Sequence, residues 1–137
     1  MPEPVLDPGI LWPSTRRDDR RTRDALDRLL LGFQIIGFNW EYLYVNPAAA
    51  RHGRRTPRDL VGHTMDGVYP GIRETDLFRR LELCMRQRRP TTFQNEFVFP
   101  DGSRRWFEIR VQPVPEGICI YSEDIQAWKD KGLASWL

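Results

Sequence analysis

Long apolar runs and cysteine are scarce in this sequence of 137 residues. No stretch approaches the ~20 apolar residues that a transmembrane helix needs, and the N-terminus lacks the basic and apolar regions of a secretory signal. Cys84 and Cys119 are the two cysteines, which are too few for a disulfide framework, so we expect reduced thiols. We therefore predict a cytoplasmic protein without a membrane partner.

The sequence also lacks a large excess of positive or negative residues. It has 21 Lys and Arg residues and 19 Asp and Glu residues, for a net charge of +2. Domains that bind nucleic acid are usually more basic, so we expect no nucleic-acid partner. Basic residues concentrate at 51–58, where a solvated face is the first interpretation. Binding of an anion or an acidic partner is the alternative for that segment.

Residues that would carry catalysis or hold a metal are few. The sequence has no Ser, His and Asp in a triad order, no glycine-rich phosphate loop and no carboxylates at metal-binding spacing. His52 and His63 are the two histidines, and we interpret them as structural or surface residues. Cys84 falls on an apolar helical stripe, where a thiol acts as a small hydrophobic group. We therefore expect a protein that is not an enzyme and binds no metal.

The sequence does contain enough apolar material for one folded core. The hydrophobic fraction is 40%, and the length suits a single domain. Residues 1–14 are predicted to form an irregular arm and 15–32 a flanking helix. The main domain is predicted at 33–126, followed by a C-terminal linker at 127–137.

Hydrophobic periodicity and capping residues predict an α+β fold. The aromatic and β-branched run at 33–45 predicts two strands joined by a tight turn. Asn-Pro at 46–47 and Thr-Pro at 56–57 begin short helices. A longer amphipathic helix is predicted at 75–89, and three further strands follow it.

Five short segments carry a family resemblance, namely YVNPAA at 44–49, DLVGHT at 59–64, NEF at 95–97, PDGSRRWF at 100–107 and DIQ at 124–126. In their order and spacing they resemble a PAS domain, the sensory-box family common in bacterial signalling proteins. The resemblance implies a five-stranded antiparallel sheet of order 2-1-5-4-3. The short helices and the longer helix are expected on one face, and an N-terminal amphipathic helix on the other.

The resemblance also implies a cavity between the sheet and its helices. The residues we assign to it are Phe38, Tyr44, Met65, Tyr69, Leu77, Leu81, Cys84, Phe97, Phe107 and Ile109. No haem or flavin adduct is expected, because 75–89 lacks the histidine of haem-sensing PAS domains and 69–74 lacks the cysteine of flavin-binding ones. We therefore predict a colourless protein without a cofactor.

The function implied by the resemblance is that of a sensory or regulatory module in signal transduction. Such a module binds a small ligand or partner and relays its state through flanking helices to a signalling output domain or protein. The first alternative is a ligand-free dimerisation module, whose cavity would be filled by Phe38, Tyr44, Phe97 and Phe107. The second is a small α+β enzyme, which would need an inward-facing acid and base that the sequence does not offer.

A homodimer is predicted from two surfaces that need covering. Leu26, Leu29 and Leu30 form one face of the flanking helix, and Trp106 lies on the strand face opposite Phe107. A helix of this length is marginal by itself in water, so it must pack on the sheet or on a second copy. Leu29→Asp is expected to split the dimer because it buries an unpaired charge, and light scattering would detect the change.

Overall fold

The computed structural model describes residues 17–27 and 30–132. Its helices are α1 (Arg17–Asp27), α2 (Pro47–His52), α3 (Pro57–Leu60), α4 (Met65–Val68), α5 (Asp76–Gln87) and α6 (Gln126–Asp130), with a 3₁₀ turn at Ile72–Glu74. Its strands are β1 (Gly32–Gly37), β2 (Tyr42–Val45), β3 (Thr91–Val98), β4 (Arg104–Val114) and β5 (Gly117–Asp124). The predicted arm at 1–14 lies outside the described residues. Within the described ranges, no helix combines the length and apolar character needed to cross a bilayer.

The five strands form one antiparallel sheet in the order β2-β1-β5-β4-β3, which confirms the predicted fold. The central pair, β1 and β5, runs from Gly32 opposite Ser122 to Gly37 opposite Gly117. The connection from β2 to β3 contains α2 to α5. These helices pack together on one face of the sheet, which we call the inner face.

Local capping explains where the short helices begin. Asn46 accepts a hydrogen bond from an α2 amide at 2.8 Å, and a proline follows at the first helical position. Thr56 and Asp59 form a capping box at α3. Thr75 accepts a hydrogen bond from an α5 amide at 3.1 Å. The predicted starts of these three helices are confirmed.

The inner core lies between the inner face of the sheet and α2 to α5. From α5, Phe78, Leu81, Cys84 and Met85 are buried against strand residues such as Val111. These four residues follow the helical period, so the apolar stripe predicted for 75–89 is the face that packs on the sheet.

Replacing Leu81 with alanine is expected to lower the free energy of unfolding by about 2–3 kcal/mol, the lower part of the range for buried leucines. Leu81 is 0% exposed, but one side of it borders a cavity, so fewer contacts are lost. Urea unfolding followed by circular dichroism measures the change. Leu83→Ala is the control, at a residue 43% exposed on the same helix, and should cost under about 1 kcal/mol. Equal losses would contradict the assigned face.

A smaller core covers the opposite, outer face of the sheet. There α1 contributes Leu26, which packs against a cluster of Phe33, Ile35, Tyr44 and Cys119. The Tyr44 hydroxyl donates a hydrogen bond to the Asp27 carboxylate. The N-terminal helix thus packs on its own sheet through its last turn.

The flanking helix predicted at 15–32 is longer than the helix found. Among the described residues α1 spans Arg17–Asp27, and those that follow it before β1 are not helical. Gly32, the last residue of that predicted segment, instead begins β1. A Cβ at Gly32 would lie 2.2 Å from the Ser122 Oγ and 2.9 Å from the Ala49 Cα. Close packing between β1, β5 and α2 therefore explains this glycine.

Candidate ligand-binding site

A cavity of about 80 Å³ lies between the inner face of the sheet and the helices, and we call it the inner cavity. Its apolar wall includes Ala49, Leu60, Met65, Ile72, Leu77, Leu81, Phe97, Phe107, Ile109 and Ile120. Its polar wall consists of Gln34, Tyr42, His52, Tyr69, Asn95 and Ser122. An apolar lining with a few convergent polar groups is typical of small-molecule sites.

A wider groove of about 610 Å³ adjoins the inner cavity, between residues 68–72 and β3. We call it the entrance groove. The two spaces share the lining residues Tyr69, Ile72, Leu77, Asn95 and Phe97. The inner cavity alone is smaller than the ~300–1,000 Å³ of usual ligand pockets. Together with the groove it offers a space of that class.

His52 borders the inner cavity and is partly buried, so of the two roles predicted for it the structural one applies rather than the surface one. Its Nδ1 lies 2.9 Å from the Ser122 hydroxyl oxygen, and its ring centroid lies 5.0 Å from that of Phe107. Burial lowers the pKa of His52, an effect that the Asp124 carboxylate partly opposes, so the neutral imidazole is favoured at pH 7. Ala49 is buried and lies three residues before His52 on α2, so the two side chains share one face of the helix. This spacing in the sequence predicts that His52 faces the inner cavity.

Three polar side chains of the inner cavity, those of Gln34, Tyr42 and Asn95, have no hydrogen-bonding partner within residues 17–27 and 30–132. Tyr42 is 2% exposed, and burial raises the pKa of its hydroxyl, which therefore remains a donor. Gln34 and Asn95 are partly buried. Because buried polar groups are nearly always paired, three such groups around one space indicate a site for a molecule with donors and acceptors.

Asn46 connects the wall of the inner cavity to the N-terminal helix. It is fully buried, and its Oδ1 accepts from the amides of Phe33 at 2.9 Å and Ala49 at 2.8 Å. Its Nδ2 donates to the carbonyl oxygens of Leu26 at 2.9 Å and Leu31 at 3.0 Å. All four hydrogen-bonding positions of the side-chain amide are used. Asn46 is therefore both the cap of α2 and the clamp that holds the connection from α1 to β1.

A family model described as the PAS fold matches residues 26–130. The chain belongs to the PAS family. The match includes the whole sheet together with α2 to α6, and it confirms the predicted family. A search of curated proteins found no match for this PAS domain.

Solved structures share the fold of this PAS domain at low sequence identity. The PAS domain of a protein from Colwellia psychrerythraea is 11% identical with a TM-score of 0.64, and the alignment covers 79% of this chain and 97% of that one. A domain of a sensory box sensor histidine kinase/response regulator from Geobacter sulfurreducens is 17% identical with a TM-score of 0.62, covering 78% and 94%. An RNA-binding light-oxygen-voltage receptor is 16% identical with a TM-score of 0.67, covering 96% and 40%. These likenesses show the fold.

Most residues assigned to the cavity of the PAS domain from its sequence border the inner cavity. They are Met65, Tyr69, Leu77, Leu81, Phe97, Phe107 and Ile109. Strand alternation and helical periodicity turn these side chains toward the same space. Their contact with a ligand stays a prediction.

Phe38, Tyr44 and Cys84 do not border the inner cavity, which corrects their assignment. Phe38 lies in the turn between β1 and β2 and is 59% exposed, with the Arg88 guanidinium carbon 5.2 Å from its ring centroid. Tyr44 lies on the outer face, because an irregularity in the β1–β2 ladder reverses the alternation after Tyr42. Cys84 is buried in the inner core but stands outside the cavity wall.

The residues predicted to dock or dimerise have different surroundings. Leu26 packs in the outer core, Leu29 lies outside the described residues, and Leu30 is 88% exposed. Trp106 is partly buried, with the Lys129 Nζ 4.3 Å from its ring centroid. The C-terminal helix α6 thus covers part of Trp106, and its role in docking or dimerisation stays a prediction.

The described residues hold no cluster of three or more His, Cys, Asp or Glu side chains that would bind a metal ion. Cys84 and Cys119 are both free and buried. Burial raises the pKa of each thiol, so neither is activated as a nucleophile. The expectation that the protein holds no metal or cofactor stays a prediction.

Proposed function

We propose that this PAS domain is a signal-sensing module that binds a small molecule in the inner cavity and entrance groove. The observation that carries the proposal is the set of Gln34, Tyr42 and Asn95, whose side chains lack partners in the described part of the chain and border one apolar space. A ligand with matching donors and acceptors would pair these groups. Burial of its apolar part would stabilise the complex further.

Binding would reach the N-terminal helix through the cavity wall. Gln34 in β1 and His52 in α2 border the inner cavity. Asn46, at the start of α2, bonds to the carbonyl oxygens of Leu26 and Leu31 on either side of the connection into β1. A ligand that prefers one arrangement of β1 and α2 therefore favours one position of α1, and an output domain or protein that contacts α1 would detect the change.

Filling the inner cavity tests ligand binding. Leu77 borders both the cavity and the groove, so Leu77→Trp is expected to expel a small molecule that native mass spectrometry detects in the parent protein. Leu83→Trp is the matched control, because Leu83 is 43% exposed on the same helix and should leave the molecule bound. A parent protein that retains no molecule, and that no compound of a fragment library stabilises against heat, would contradict the proposal.

Hydrogen exchange tests the relay separately. Binding of a stabilising compound is expected to change amide exchange in residues 17–27 several-fold, because Asn46 couples the cavity wall to that helix. Unchanged exchange in α1, with protection confined to the cavity wall, would contradict the relay and leave ligand binding intact.

Homodimerisation is the second candidate function, and the exposed end of the N-terminal connection favours it. Leu30 is 88% exposed and the next residue, Leu31, 41% exposed, so a second copy related by a two-fold axis would cover both. A cavity filled by aromatic side chains is not supported, because only Phe97 and Phe107 of the four named for it border the cavity. Light scattering of the parent and of Leu30→Asp tests the dimer, and a monomeric parent at high concentration would contradict it.

We also propose that the module is not an enzyme, carries no haem or flavin adduct, and acts in the cytoplasm with a signalling output domain or protein. PAS domains are generally sensory, and the raised pKa values of Cys84 and Cys119 support a structural role for both thiols. A visible absorption band that survives gel filtration would contradict the proposed absence of a chromophore.

A further inference from the structure

The acidic side chains that line the entrance groove are already paired with arginines. Asp76 lies 2.9 Å from the guanidinium of Arg80, and Glu96 lies 3.0 Å from that of Arg104. Arg55 also lines the groove, but no carboxylate of the described ranges lies within ion-pairing distance of it. The groove therefore presents one guanidinium without an ion pair beside an apolar space, although the charge of Arg55 also acts on the exposed Asp59 carboxylate, whose pKa it helps to lower.

The position of Arg55 is defined by its backbone and by a neighbouring ring. Its amide donates to the Ala50 carbonyl at 2.8 Å, and its guanidinium carbon lies 5.6 Å from the Tyr69 ring centroid. Burial raises the pKa of Tyr42 and of Tyr69, and the positive charge of Arg55 opposes both increases. The field of the guanidinium thus reaches the polar wall of the inner cavity.

The other arginines of the basic segment 51–58 explain why Arg55 stands out. Arg54 pairs with Asp101 at 3.0 Å, and its guanidinium carbon lies 3.7 Å from the Phe99 ring centroid, so it fastens α2 to the β3–β4 turn. Arg51 and Arg58 are exposed, as Arg55 is, but neither of them lines the groove. Of the two interpretations left open for this segment, structural or solvated roles account for Arg51, Arg54 and Arg58, whereas Arg55 lines the entrance groove.

We propose that the ligand of this module is a small monoanion, an apolar molecule with one carboxylate that pairs with Arg55. The inference rests on the proposed ligand-binding function and specifies the chemical class of the ligand. A guanidinium binds a carboxylate through two parallel hydrogen bonds, and one arginine without an ion pair matches one negative charge. A second negative charge on the ligand would lie near Asp76 and Glu96, which disfavours dianions.

A pair of probes with the same shape and different charge tests the assignment. By isothermal titration calorimetry at low salt, the parent is expected to bind 4-phenylbutyrate at least about tenfold more tightly than 4-phenylbutyramide, because ion-paired hydrogen bonds are the stronger ones. Arg55→Gln is expected to reduce the affinity for the carboxylate to that for the amide and to leave amide binding unchanged. Arg58→Gln removes the same charge outside the groove and should change neither affinity.

Three outcomes would overturn the assignment. Equal affinity of the parent for both probes, or equal losses in Arg55→Gln and Arg58→Gln, would show that Arg55 does not recognise the carboxylate, while ligand binding would stand. Binding of neither probe would also overturn the monoanion assignment. In that case the proposed function depends on whether native mass spectrometry finds a retained molecule that Leu77→Trp expels.

Discussion

Gly117→Ala is expected to unfold the protein or to lower its free energy of unfolding by about 4 kcal/mol or more. Gly117 begins β5 with a φ of +154°, a conformation that alanine rarely adopts. A Cβ at this position would lie 2.1 Å from the Ile36 carbonyl oxygen and 3.0 Å from the Gly37 carbonyl carbon. Since both atoms belong to backbone, relief requires β1 to shift against β5, and this is the central strand pair of the sheet.

Gly102→Ala is the control that measures the cost of a positive φ alone, without a steric clash between a new Cβ and neighbouring backbone. Gly102 has a φ of +85° in the β3–β4 turn, and a Cβ there would meet no atom within 4 Å. Its replacement should therefore cost only about 1–2 kcal/mol for the left-handed conformation. Chemical denaturation of both variants gives the comparison, and a Gly117→Ala protein as stable as Gly102→Ala would show that the strand pair is not constrained as the structure indicates.

Asn46→Asp is expected to lower the free energy of unfolding by about 3–5 kcal/mol at pH 7, the cost of an uncompensated buried charge. The carboxylate keeps the two acceptor positions that Phe33 and Ala49 use, but it loses both donors to the carbonyl oxygens of Leu26 and Leu31. Two carbonyl dipoles would then face a negative charge. We expect α1 to detach first, which increased hydrogen exchange in residues 17–27 would show.

The cost of Asn46→Asp should depend on pH in a defined direction. The buried Asp would have a pKa above its unfolded value of about 3.9, because burial and the two carbonyl oxygens disfavour the charged form. Between those two pKa values the folded protein binds more protons than the unfolded one, so the variant loses stability relative to the parent as pH rises. Below about pH 4 most of the difference should disappear, since a protonated carboxyl can donate to one carbonyl.

Asn39→Asp provides the control for the same chemical change at an exposed site. Asn39 lies in the β1–β2 turn, where its Oδ1 accepts from the Glu41 amide at 3.2 Å and its Nδ2 donates to the Glu41 carboxylate at 3.3 Å. Both hydrogen bonds are exposed, so water screens the repulsion between the new carboxylate at position 39 and that of Glu41. The substitution should therefore cost under about 1 kcal/mol at pH 7. A loss in Asn46→Asp that matches this control, or that does not change with pH, would contradict the clamp assigned to Asn46.

The sequence predicted the fold well because its signals are local. Asn46 with the proline after it, the Thr56 capping box and the period of α5 each act within a few residues. Alternation in β3 and β4 likewise turned Phe97 and Phe107 toward the cavity. The same rule failed at Tyr44, because the irregularity in the β1–β2 ladder depends on how two strands pair.

The sequence by itself determined the order of the elements, the PAS family and most of the apolar cavity wall, because caps, turns and periodicity act over short distances along the chain. Only the tertiary structure decided which polar side chains are satisfied. His52 meets Ser122 across 70 positions, and Asn46 reaches Leu26 across 20. Whether Arg55 has a carboxylate partner likewise depends on which residues folding brings to the entrance groove. Hydrogen bonds and ion pairs require specific atoms at about 3 Å, and no local pattern specifies which distant residue supplies them.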